Sequence, residues 1–133
     1  MLFLKHRKLI RILLWVWVSV IIVLSIIPGI PDHDIKVRGF EIRMDYIEHF
    51  VVFAVLAVLL KFSRSNNINN KKRWLNIGLN IIFGLSFSYL VEFVQIYIPG
   101  RTYNPVDFIY NMGGFILIYL LLFLFQKKKI QHR

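Results

Sequence analysis

Apolar residues run along this chain in four long blocks, with polar residues gathered between the blocks and at their ends. The first block, "LIRILLWVWVSVIIVLSIIPGI", covers residues 9–30 behind Lys5, Arg7, Lys8 and Arg11. Its centre is longer than a secretory h-region of about 7–15 residues and no A-x-A cleavage site follows, so it is expected to stay as a helix ending near Pro28-Gly29. The second block is unbroken only over residues 50–60. At about 1.5 Å per residue that stretch is far shorter than a hydrocarbon core of roughly 30 Å. A spanning helix must therefore start near Met44 and carry Asp45, Glu48 and His49 with it. Residues 74–98 form the third block, with Glu92 and Gln95 near its end, and residues 106–125 the fourth, with Asp107 and Asn111 in its first turns. The pattern predicts helices over about 9–30, 44–62, 74–98 and 106–125 in a single domain covering 1–133: an all-α membrane protein with four transmembrane helices.

Charge then gives the helices a direction. The N-terminal segment, the Asn-rich connector "KFSRSNNINNKKRW" and the tail carry thirteen Lys and Arg between them, against four in the other two loops. The positive-inside rule places both termini in the cytoplasm. The formal net charge of +10 raises the possibility of nucleic acid. Its placement at the ends of apolar blocks, with no soluble domain to carry a basic face, argues against that partner. The lipid bilayer is the expected one. With no cysteines, disulfides and thiolate metal sites are excluded.

That topology brings polar residues from three helices to one side. Asp45, Glu48 and His49 open the second helix at i, i+3 and i+4 spacing, which makes one patch. Asn80, Gly84, Ser88, Glu92 and Gln95 form a small and polar stripe on the third, of the kind that permits close helix packing in lipid. Asp107, Asn111 and Gly114 form the facing stripe on the fourth. Between the third and fourth helices "IPGRTYNP" is a short turn: Pro99 ends a helix, Gly100 allows positive φ, and Pro105 opens the next. Arg101 is held in that turn, expected beside Glu92 and Asp107.

Charged side chains inside a membrane are costly and commonly functional. The residues Asp45, Glu48, His49, Glu92, Gln95, Arg101, Asp107 and Asn111 thus form a candidate ligand site facing outward. Several chemistries fit. Arg101 can grip a phosphate or carboxylate bidentately, pointing to an anionic lipid head group, a lipid-linked wall precursor or an acidic polymer. His49, with Asp45 or Glu92, can serve as a general base acting on a lipid-linked substrate, or as a metal ligand, though one histidine without an H-E-x-x-H pattern makes a thin metal site. The carboxylates can relay protons or ions, or the whole set can clamp the bundle by mutual hydrogen bonding. No cofactor or resident metal is expected, and whether the protein is an enzyme stays open. His33, between Asp32 and Asp34, reads as part of a solvated turn, and Trp15, Trp17 and Trp74 as interface or lipid-facing residues.

At these residues the chain resembles the VanZ-like family of small bacterial membrane proteins, named for a protein associated with teicoplanin resistance. The resemblance rests on Asp45 and His49 opening one helix, Glu92 and Gln95 as E-x-x-Q, the turn Pro99-Gly100-Arg101, and Asp107 four residues before Asn111 with Gly114 following. "SIIPG" at the end of the first helix is also similar. Tyr46 departs from the Lys common there, and Ile118 from a Gly. The resemblance implies a polytopic envelope protein with relatives that include one lowering susceptibility to lipidated glycopeptides, and hence a lipoglycopeptide as a further possible ligand. It implies no established reaction.

Overall fold

The structure is a computed structural model that describes residues 2–28, 34–37, 40–64, 70–101 and 103–131. Gly29 and His33 lie outside them. Four helices follow in order, α1 (Leu2–Ile26), α2 (Met44–Ser63), α3 (Asn70–Gln95) and α4 (Pro105–Gln131). Within them His6–Ile26, Met44–Ser63, Trp74–Gln95 and Pro105–Phe125 are long and apolar enough to cross a membrane. The 20 residues of α2 reach about 30 Å, so Asp45, Glu48 and His49 do belong to the span.

Helices and apolar blocks part company at their ends. α1, α3 and α4 each run past the apolar residues into a basic segment, because Lys, Arg and Gln are good helix formers and a helix does not stop where its greasiness does. At the other end α1 stops at Ile26 rather than residue 30, and α3 at Gln95 rather than residue 98. The cause is the proline ahead: the residue before it is driven out of helical geometry. Beyond Gln95 the backbone tightens to three-residue bonds, Ile96, Tyr97 and Ile98 donating to Phe93, Val94 and Gln95. A tight turn then closes from Ile98 to Arg101, with Gly100 at φ 78° in the position that favours glycine.

The segment before α2 adds what the blocks did not suggest, a small antiparallel hairpin. Strands β1 (Asp34–Val37) and β2 (Phe40–Arg43) pair Asp34 with Arg43 and Val37 with Phe40. The alternation Ile35, Val37 and Phe40, Ile42 against Lys36 and Glu41 is the period-two pattern of such strands.

α2 and α4 run parallel and form the most extensive contact in the bundle, with α1 packed against α2 and α3, and α3 against α4. Gly114 makes the α2–α4 approach possible: a Cβ there would collide with the Phe50 backbone carbonyl. Gly84 does the same for α3 and α4, where the Phe115 ring occupies the space a side chain would need. The core is a stack of Phe53, Leu56, Phe115 and Tyr119 with Leu14, Val18 and Ile21 of α1 against it. Trp17 departs from the lipid-facing expectation, as it donates its indole N–H to the Val52 carbonyl at 3.0 Å. Trp15 and Trp74 are exposed, as are most large apolar side chains on the outer faces, which is how a bundle solvated by lipid presents itself.

Candidate functional site

Because α1 and α3 run one way and α2 and α4 the other, the C-terminal ends of α1 and α3 meet the N-terminal ends of α2 and α4. The polar residues of three helices converge there. Helical spacing sets each one's direction: His49 lies one turn beyond Asp45 on α2, Glu92 one turn beyond Ser88 on α3, and Asn111 one turn beyond Asp107 on α4.

Asn111 sits at the centre, wholly buried, as is Glu92. Its amide nitrogen donates to Glu92 Oε1 at 2.8 Å. That orients the amide, so its oxygen faces His49 Nδ1 at 3.0 Å and the imidazole donates there. On the same side His49 Nδ1 is 3.7 Å from Glu92 Oε1, and across the ring Nε2 is 3.7 Å from Asp107 Oδ2. One imidazole is thus held between two helices' worth of acceptors. The histidine and Asp107 form the accessible edge, their side chains 22% and 11% exposed against 0% for Glu92.

Not every polar atom finds a partner. Glu92 Oε2, Asp107 Oδ1 and Ser88 Oγ are buried with no hydrogen bond from the protein. Buried polar groups are ordinarily paired, so these atoms stand out in the cluster.

The other expected residues take different positions. Asp45 is half-buried at the start of α2, bound by Arg43 through one oxygen and by the Tyr46 backbone N–H through the other. Gln95 is buried on the Glu92 face of α3. Glu48 is exposed and stands outside the cluster. Arg101 turns toward α1, donating through Nε to the Ile27 carbonyl at 3.1 Å and through Nη2 to the Leu24 carbonyl at 3.3 Å. It satisfies carbonyls that a helix C-terminus leaves without partners and ties the α3–α4 turn to α1.

Arg43 and the ring pair beside it were not foreseen. The Arg43 guanidinium lies over the Tyr46 ring at 4.6 Å, and Tyr46 stacks on Tyr110 of α4 at 4.9 Å. An Arg two residues before an Asp was the available signal. Asn104 caps α4, its side-chain oxygen accepting from the Val106 N–H at 3.0 Å with Pro105 in the first helical position. A separate polar contact lies deeper, where Asn80 donates to the Tyr119 hydroxyl at 2.6 Å.

Among the described residues no three His, Asp or Glu side chains are grouped to hold a metal ion. A shallow apolar groove of about 580 Å³ runs along α1 from Ile12 to Leu24.

Four membrane-length helices with a polar cluster at one end define a small polytopic membrane protein. The chain belongs to the VanZ/LLP1 family, whose sequence profile matches residues 5–126. Comparison with curated proteins and with solved structures finds no match.

Proposed function

We propose that this protein works in the bacterial cell envelope, taking a polar head group into the cluster from the outer face of the inner membrane, and that its output is lowered susceptibility to glycopeptides of the teicoplanin type. One observation carries the ligand site: buried oxygens of Glu92, Asp107 and Ser88 lack protein partners while His49 and Asp107 remain reachable. A clamp would use those oxygens up. Arg43 and Arg101 stand at the same end of the bundle, where the phosphate of a head group, a lipid-linked wall precursor or an acidic part of a lipoglycopeptide would lie. The antibiotic output rests on family membership.

A second reading has its own observation. The His49 imidazole, oriented by Asn111 on Nδ1 and facing Asp107 on Nε2, has the arrangement of a general base in a hydrolase or transferase acting on a lipid-linked substrate.

The experiment compares His49→Gln, Glu92→Gln, Asp107→Asn and Asn111→Leu with the wild type and a deletion strain at equal membrane abundance. Teicoplanin susceptibility and envelope lipid composition are measured. All four variants are expected to move toward the deletion strain. Wild-type behaviour in every one leaves a structural clamp. Loss confined to His49→Gln, with a lipid-linked precursor accumulating, selects the enzyme.

A further inference from the structure

The atoms left without partners say which end of a head group enters. Glu92 Oε2 and Asp107 Oδ1 are carboxylate oxygens, and Ser88 Oγ lies one turn below Glu92 on the same face of α3. Glu92 and Ser88 are 0% exposed. Glu92 lies three residues inside the end of its span and His49 five residues inside the start of its own, about 5–8 Å along each helix. At that depth water is scarce and a buried acceptor must find a donor.

Two of the neighbouring donors are committed: the Asn111 amide to Glu92 Oε1, and His49 Nδ1 to the Asn111 oxygen. An anion pushed into this site would face two carboxylates in a low dielectric, where like charges repel most strongly. Among the described residues no three His, Asp or Glu side chains are arranged to hold a metal ion. A primary ammonium carries three donors and one positive charge. That is enough donors to answer both carboxylates and a hydroxyl.

Resting on the head-group reading above, we infer that the cluster seats the ammonium of an aminolipid head group, with Glu92 and Asp107 as its acceptors. The lipid enters over the His49–Asp107 edge. Its phosphate stays at the rim, and its amine goes in first.

The test uses full-length protein in detergent micelles and native mass spectrometry with three lipids of identical acyl chains. Phosphatidylethanolamine supplies N–H donors and charge, phosphatidylcholine charge without donors, and phosphatidylglycerol hydroxyls on an anionic head. Retention of phosphatidylethanolamine is expected to exceed that of the other two by roughly tenfold, as charge-assisted hydrogen bonds warrant. Glu92→Gln and Asp107→Asn should each erase most of that preference. Equal retention of the three lipids, or a preference that survives both variants, overturns the inference. Preference for phosphatidylglycerol also overturns it while leaving a head-group site standing, whereas no saturable binding of any lipid removes both. Should a variant fail to fold, the three-lipid comparison on wild-type protein decides alone.

Discussion

Asn111 has no exposed surface and uses both ends of its amide, giving a proton to Glu92 and facing the His49 ring with its oxygen. Asn111→Leu keeps the volume but strands Glu92 Oε1 and His49 Nδ1 away from water. Stability should fall by about 1–3 kcal/mol, the range for leaving buried polar partners unsatisfied. That exceeds the roughly 0.6 kcal/mol average for interhelical hydrogen bonds in membranes, because two partners lose at once. A denaturation titration in mixed micelles measures it, and an unchanged midpoint would mean the amide is dispensable. The four linked residues were legible from spacing alone, since i, i+4 on α2 and α4 and the polar stripe on α3 each point one way. Arg101 was not. Its position in a short turn was evident, but its partners are the Leu24 and Ile27 carbonyls, and only the packing of α1 brings that helix end within reach. Nor did the sequence foretell that Asp45 is occupied by Arg43, because that pairing depends on how β2 hands over to α2.

Helix pairing depends on single small residues. Gly113 and Gly114 are adjacent, yet a Cβ on Gly113 meets nothing within 4 Å while one on Gly114 strikes the Phe50 backbone. Gly114→Ala should therefore separate α2 from α4 at a cost of roughly 1–3 kcal/mol, the range for overpacking, whereas Gly113→Ala, inside the helix with open space around it, should raise stability by about 0.5–1 kcal/mol. Resistance to SDS-induced unfolding measures both, and equal behaviour of the two would show that the α2–α4 approach is not tight. The adjacent pair of glycines was visible in the sequence. Which glycine makes the contact was not, because that depends on how α4 is rotated about its axis. Apolar blocks located the spans well and the helix ends poorly, as hydropathy reports solvation by lipid while prolines and good helix formers decide where the backbone stops. The hairpin of β1 and β2 was written in alternating residues that a search for long apolar blocks passes over.

The bundle as a unit was the most legible feature, because four spans joined by short or polar connectors admit few arrangements. Antiparallel neighbours follow from chain order, and so does the meeting of the α1 and α3 C-termini with the α2 and α4 N-termini. Family membership agrees with the motif that carried the resemblance. The direction in which the cluster faces is a separate matter, set by the basic residues near the α2–α3 connector and both termini. An outward-facing cluster is what head-group capture from the outer leaflet requires. The chain has no cysteine of its own, so single cysteines report cleanly. Tyr103→Cys, in the exposed turn beside the cluster, and Arg64→Cys, at the exposed far end of α2, should be treated on intact cells with a membrane-impermeant maleimide. Labelling of Tyr103→Cys at once, and of Arg64→Cys only after permeabilisation, is the predicted result; the reverse pattern would place the cluster at the cytoplasmic face and contradict the account.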